Sequence, residues 1–229
     1  MNLPKISKRL EAAASFSQRG AVIADVGTDH AYLPIYLYAT GRISVGVASD
    51  INQGPTDRAR VNVKGWGADK AISVIRTDGL HGIEEYSPDE IFILGMGGEL
   101  IVRILEDAPW VKNNKRLILQ PMTHAETLRS YLWANGFEII DETIVEEDKL
   151  YQIICAEYTG EVYTPEKSEL FFGKINAERG GELFFKLLEH TRSVYEQRIK
   201  GKLIADADCT DERQMIDAIN EILKGDVDK

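Results

Sequence analysis

Five short runs of Val- and Ile-rich residues recur through the first half of the chain, at 21–26, 44–49, 71–76, 90–94 and 116–120. Few polar side chains interrupt them, as expected of parallel strands covered on both faces. Between them lie segments of helical length at 32–40, 54–66, 99–108 and 125–135, the last followed by Gly136 in the position of a C-cap. After Lys115 the order changes to a strand, a helix and then two further strands, at 138–145 and 152–157. Only the acidic turn 146–149 separates that pair, too short for a parallel crossover, so the pair is predicted to be antiparallel. The β pattern stops near 160–165. Beyond it, Phe184, Leu187, Leu188, Thr191, Val194, Tyr195 and Ile199 recur at three- and four-residue steps over 181–205. A second helix is predicted with Thr210 as N-cap and a stripe of Met215, Ile216, Ile219, Ile222 and Leu223. The pattern predicts an α/β domain over 1–160 and a helical, coiled-coil-like hairpin over 161–229.

Composition narrows this. At 229 residues, 44% apolar and 28% charged, the chain can bury a sizeable core. No apolar stretch approaches the ~18 residues of a membrane span, and the N-terminus reads as an amphipathic helix, not a signal peptide. Cys155 and Cys209 lie far apart without metal-ligating neighbours, so neither a disulfide framework nor a metal site is expected. The expected setting is the cytoplasm, and the expected state a monomer. A net charge of −10 argues against a generally basic nucleic-acid binder, but not against local patches. Residues 1–20 carry Lys5, Lys8, Arg9 and Arg19 against Glu11 alone, and residues 192–202 carry Arg192, Arg198, Lys200 and Lys202 against Glu196 alone. Taken by itself, the charge favours two solvated helix faces; such patches could also dock an anion in one orientation.

The chemistry concentrates at predicted strand ends. Asp25-Val-Gly27-Thr28-Asp29-His30-Ala-Tyr32 follows the first strand. A dinucleotide fingerprint needs three glycines, and only Gly27 is present, with Asp29 where the second would stand. An anionic side chain there repels a pyrophosphate but suits the sulfonium and amino groups of S-adenosylmethionine. An ordinary strand-to-helix turn with Asp29 as N-cap accounts for the same letters. Asp50 closes the second strand, where a carboxylate can accept both ribose hydroxyls of a nucleoside, whether adenosylmethionine or NAD. Thr77-Asp78-Gly79-Leu80 follows the third, offering an acceptor for an adenine amine and an apolar wall, though alone it resembles any D-G turn. Acidic residues at three consecutive strand tips are much harder to obtain by accident than any one of them.

After the fourth strand comes Gly95-Met96-Gly97-Gly98, almost bare backbone that permits close approach of a flat ligand. Gln120 and Pro121 at the fifth strand tip are candidates for lining a target pocket, and Tyr32 and Trp110 for stacking on a base. His81, His124 and His190 are isolated and read as surface or packing residues. A parallel sheet ending in an antiparallel hairpin is how class I methyltransferases finish, whereas a nicotinamide-binding domain would normally continue its parallel strands.

As a set, ISKRLEAAASF, DVGTDHAYLP, SDIN-x-GP, TDGL, GMGGELI, LILQPM, GFEI and KLYQI resemble the bacterial tRNA (adenine(22)-N(1))-methyltransferase family, in order and at natural spacing over roughly residues 6–155. The departures are small, TDGL where GDGL is common and DKLYQI where E-x-x-x-Y-E-I is usual. The resemblance implies a Rossmann-like class I methyltransferase domain, a C-terminal helical domain, S-adenosylmethionine as cofactor and tRNA as partner. It implies cofactor contacts at Asp25, Gly27, Asp29, His30, Asp50, Asp78, Gly79, Leu80 and Gly95, with Thr28, Ile51 and Met96 beside them. Adenine N1 has an available lone pair, so a strong general base is not required; Asp29 or His30 could take the later proton, and Gly97 and Gly98 would adjoin the target base. Tyr32, Gln120 and Pro121 are expected to face that base, and Lys5, Lys8, Arg9, Arg198, Lys200 and Lys202 the tRNA phosphates. A small-molecule methyltransferase, or a non-catalytic RNA-binding protein with a vestigial pocket, would share many of these features.

Overall fold

The computed structural model describes residues 3–225. The chain divides into two compact units after Thr164. In the first, α1 (Lys8–Ser15) leads into β1 (Val22–Val26), α2 (Tyr32–Ala39), β2 (Val45–Asp50), α3 (Gln53–Gly65), β3 (Ile72–Arg76), β4 (Glu90–Met96), α4 (Gly98–Glu106), β5 (Arg116–Pro121), α5 (Ala125–Ala134), β6 (Phe137–Glu146) and β7 (Leu150–Tyr158). The strands form one seven-stranded sheet in the order β3-β2-β1-β4-β5-β7-β6. The first five are parallel, and β7 inserts antiparallel between β5 and β6. The order reverses at β1, between β2 and β4, and so creates a crevice at the C-terminal strand ends.

The core is the apolar strand pattern made three-dimensional. Ile23, Phe92, Ile118 and Ile153 pack with Ala13 and Ala14 of α1 and Leu33 and Leu37 of α2. Ala48 and Ile72 pack with Ile35 of α2 and Ala59 and Val63 of α3. Gly136, φ +79°, ends α5 as expected, and its missing side chain lets Gly160 approach. A buried ion pair ties α5 to the sheet inside this unit. Arg129 of α5 and Glu142 of β6 are fully buried and paired at 2.7 Å, and Arg129 also donates to Gln152 of β7 at 2.9 Å. Removing one partner of such a pair strands a charge and costs about 3–5 kcal/mol.

The remaining elements are α6 (Lys167–Phe172), α7 (Lys174–Arg179), α8 (Glu182–Ile204) and α9 (Thr210–Gly225). The two long helices pack together, and α6 lies against both, so the unit holds two short helices beyond the predicted hairpin. Phe172 and Phe184 meet edge-on at 6.5 Å, while Leu203 and Ile204 at the far end of α8 are exposed. Thr210 is not the N-cap but the first helical residue, because the Asp208 carboxylate accepts from its N–H at 3.1 Å and its hydroxyl at 2.7 Å.

Candidate active site

A cavity of about 180 Å³ opens at the C-terminal ends of β1 and β4. Asp25, Gly27, Thr28, Asp29, His30 and Tyr32 line it, together with Leu94 of β4 and Arg9 and Leu10 of α1. A larger cavity of about 410 Å³ lies at the opposite strand ends among Arg19, Asp89, Glu90, Arg116 and Glu157. The first is the candidate site, because ligands of open α/β sheets sit outside the carboxyl ends of the strands.

The β1–α2 turn is held in an unusual conformation. Gly27, Asp29 and Ala31 have φ of +76°, +44° and +58°, an alternation that two side-chain-bearing residues adopt only when their surroundings hold them there. The holding groups are visible. Gly27 and Thr28 donate their N–H groups to the Ser49 carbonyl at 2.8 and 2.9 Å. From α3, Asn62 donates to the His30 carbonyl at 3.0 Å, and Arg58 pairs with Asp29 at 2.8 Å. The imidazole of His30 lies 3.4 Å from Asp29 and stacks on Tyr32, with ring centres 5.0 Å apart. Asp29 therefore does not cap α2; Ala31 stands at that position and offers no side-chain bond.

Asp25, only 5% exposed, accepts the Thr28 hydroxyl. Burial pushes its carboxyl up to about 6, the Thr28 bond opposes this, and the nearby Asp50 charge adds to it. Asp50 is half-buried at the tip of β2, with one oxygen accepting the Asn52 N–H at 2.8 Å. Asp78 and Ile51 are exposed beyond β3 and β2; Gly79 has φ +54°, and Leu80 is buried. Since β3, β2 and β1 are neighbours, Asp78, Asp50 and Gly27 follow one another along a single edge of the sheet. The donor set fits the proposed nucleoside: carboxylates for hydroxyls and an amine, and anions for a cation. A Cβ on Gly27 would collide with the flexible end of Met96, which lies over this turn.

The glycine loop is less bare than its sequence suggests. Gly95, φ +76°, sits at a bulge in β4 and donates to the Gln120 side chain at 3.1 Å. Gly98 is buried, donates to the Thr123 carbonyl at 2.8 Å, and lies where a Cβ would overlap the His124 carbonyl. It brings the starts of α4 and α5 together instead of facing a ligand. Gly97 stands at the N-cap of α4 with extended backbone and is outside the cavity lining.

Gln120 and Pro121 are buried and do not present polar atoms to a target base. The Gln120 oxygen accepts from Arg9 at 2.6 Å as well as from Gly95, and its amide donates to the Pro121 carbonyl at 2.8 Å. Trp110 is outside the cavity lining. Among the basic residues, Lys5 and Lys8 are exposed near and on α1. Arg9 instead turns into the cavity, its guanidinium over the Tyr151 ring at 5.2 Å. Arg198 and Lys200 are exposed on α8, whereas Lys202 is engaged by Glu212 of α9 at 2.7 Å. Sequence reasoning missed Arg58, Tyr151 and the inward turn of Arg9. Of these, only Arg9 carried a signal, as part of the basic N-terminal segment.

A family model described as tRNA (adenine(22)-N(1))-methyltransferase matches residues 23–224. The chain is 39% identical over 210 residues to the tRNA (adenine(22)-N(1))-methyltransferase of Bacillus subtilis, covering 86% of this chain and 87% of that protein. Sp1610 of Streptococcus pneumoniae, a candidate tRNA (m1A22) methyltransferase crystallised with S-adenosyl-L-methionine, superposes with a TM-score of 0.86 at 36% identity, over 96% of this chain and 100% of that one. The M. capricolum protein TrmK, crystallised with S-adenosyl-homocysteine, gives 0.77 at 28% identity, over 96% of each chain.

Proposed function

The chain belongs to the tRNA (adenine(22)-N(1))-methyltransferase family, and we propose that it methylates N1 of an adenine in the D-arm region of tRNA, adenine 22 in the family's description, with S-adenosylmethionine as donor. The observation that carries this reading is the row of acidic tips on β3, β2 and β1, ending at a cavity whose turn is held in left-handed backbone. When bound, S-adenosylmethionine supplies an electrophilic methyl group. Asp78, with Gly79 and Leu80, receives the adenine edge, and Asp50 the ribose hydroxyls. Asp25 and Asp29 supply negative charge beside the cationic amino-acid end. Gly97 lets the target base approach closely, and Tyr32, 44% exposed and stacked on His30, offers it a face.

Adenine N1 attacks through its own lone pair. The protein's work is therefore orientation and exclusion of water rather than proton abstraction. Because N1 lies on the pairing edge, the base must leave its stack or already be unpaired. Lys5 and Lys8 in the first unit and Arg198 and Lys200 in the second are exposed cations suited to phosphate, and the helical unit acts as a tRNA-binding accessory. The protein acts in the cytoplasm, as a monomer.

The deciding experiment is methyl transfer to tRNA with mapping of the modified base. Modification at N1 of adenine 22 is expected. Cofactor binding with methylation of small molecules alone would refute the tRNA reading, and absence of cofactor binding would refute the enzyme reading. Neutralising Lys5 and Lys8, or Arg198 and Lys200, should weaken tRNA binding and reduce its log–log salt slope by roughly 0.7–0.9 per lost contact. An unchanged slope removes that pair from the interface.

A further inference from the structure

We infer that the outer face of α3 and the adjoining end of β3 form a second phosphate-binding flank for tRNA, across the crevice from Lys5 and Lys8. The inference rests on the function proposed above and deepens it by naming a surface of the first unit that takes the RNA backbone.

Residues 51–76 carry five cations, Arg58, Arg60, Lys64, Lys70 and Arg76, against the two carboxylates Asp57 and Asp69, on a chain whose net charge is −10. All five cations are exposed. Arg60 and Lys64 stand one turn apart on one face of α3. The Arg60 guanidinium reaches the Val74 carbonyl of β3 at 3.4 Å. Arg76 follows Val74 by two residues, about 7 Å along the strand, and donates to the Ile51 carbonyl just beyond β2 at 2.9 Å. Arg58 turns the other way, onto Asp29. Asp57 is shared between Arg60 at 2.9 Å and the Gln53 amide at 2.8 Å, and among the described residues Lys64 forms no ion pair. Positive charge is therefore left over on this face. Val61, 71% exposed on α3, and Ile51 add apolar surface beside it.

Place and chemistry together favour RNA over an acidic protein surface. The start of α1 is held at the β6–β7 turn, where Glu147 accepts the Lys8 N–H at 3.2 Å. From β3 to β7 is five strand spacings, about 24 Å, and the cavity at β1 and β4 lies between them. The strand tips inside this span carry Asp25, Asp50 and Asp78, which repel phosphate, while exposed cations stand on both flanks. A backbone held at the flanks and kept off the tips leaves its base free to enter the crevice. Arginine forks match phosphate oxygens, and exposed aliphatic side chains suit the sugar and base edges between them. The same cations have a second use: β3 is an edge strand, and charged side chains along an open edge deter pairing with another chain. That use accounts for Arg60 over Val74 but asks nothing of Lys64 on the helix.

The salt dependence of tRNA binding tests the flank in wild type, Arg60→Gln/Lys64→Gln and Arg76→Gln. Loss of two phosphate contacts should reduce the log–log slope of the double variant by about 1.4–1.8, and loss of one that of Arg76→Gln by about 0.7–0.9. With the affinity extrapolated to about 1 M salt unchanged, the double variant should bind tRNA about 25- to 60-fold more weakly at about 0.1 M. Its affinity for S-adenosylhomocysteine should not change, and in methyl transfer the loss should fall on KM for tRNA with kcat kept. Wild-type affinity and slope would overturn the flank, and self-association of such a variant would show that the cations only guard the edge of β3. Weaker binding at an unchanged slope would overturn it too, because the effect would then come through the fold. Should the double variant fail to fold, Lys64→Gln alone carries the test with the slope change of one contact, since glutamine is nearly as good a helix former as lysine. Failure of wild type to bind tRNA at any salt concentration would refute the tRNA reading itself, and the flank with it.

Discussion

Replacing Asp25 by Asn should stabilise the ligand-free protein at neutral pH and weaken its hold on the cofactor. Asp25 is 5% exposed, and its carboxyl is raised from 3.8 to about 6, chiefly by burial. A carboxyl raised on folding takes up a proton as the chain folds. Its contribution to stability is fully present below the unfolded value of 3.8 and is lost as pH rises through about 6. Above that range the buried carboxylate costs roughly 3 kcal/mol at 1.36 kcal/mol per unit. Asparagine keeps an oxygen for the Thr28 hydroxyl and is never charged. Its amide hydrogens need a partner, which offsets part of the gain, so about 1–3 kcal/mol is expected at pH 7.5. Urea unfolding of both proteins between pH 4 and 8 measures the difference while shared titrations cancel. The variant's advantage should grow across the window from about 4 to about 6 and then level off. A pH-independent difference, or a variant less stable at pH 7.5, would refute the account of burial. The same charge should serve the ligand: a bound ammonium favours ionised Asp25, so cofactor affinity should rise with pH through this window in wild type and not in Asp25→Asn.

Two further substitutions separate packing from binding. Gly98→Ala places a methyl group against the His124 carbonyl, a backbone atom that cannot move aside alone, and should destabilise the first unit by about 1–3 kcal/mol in urea unfolding; a wild-type midpoint would show that the α4–α5 approach is loose. Asp50→Ala removes a half-buried acceptor whose hydrogen bond from Asn52 is local, and should cost roughly 1.5–3 kcal/mol of S-adenosylhomocysteine binding with little change in melting. Unchanged affinity would take Asp50 out of the site.

Much of the fold was legible because parallel strands buried on both faces must be apolar throughout, and turns of fixed handedness need glycine. The five parallel strands begin and end within two residues of the apolar runs, and the short turn 146–149 does join an antiparallel pair. The run at 138–145 continues as one strand, Phe137–Glu146, whose bulge near Ile139 and Asp141 shifts its register. That shift breaks the two-residue alternation by which a strand's length is read. The helices α6 and α7, six residues each, are too short to show a periodic stripe. A signal for α6 was present in the Glu166 and Glu169 capping box, which uses glutamate where serine or threonine is the usual first member.

The acids at the strand tips were legible for a different reason. Their role depends on position along the sheet, and sheet order follows from the strand pattern. What met them was not, because each partner arrives from elsewhere in the chain. Arg58 reaches Asp29 across 29 positions, and Arg9 reaches Gln120 across 111. The glycine loop shows the consequence. Its letters suggested a continuous backbone platform, yet Gly98 is required by packing and Gly95 by the bulge and by Arg9. Only Gly97 is left over. A side chain there would meet the Thr123 hydroxyl at 3.3 Å and no backbone atom within reach, so folding makes the weakest demand for glycine at this position. Its backbone is extended, with φ −65° and ψ 143°, a conformation open to any residue. A glycine that neither packing nor dihedral angle demands, at the entry to α4, is explained, on the function proposed above, by what must approach it. For a reaction at a ring nitrogen, that is the edge of a flat base.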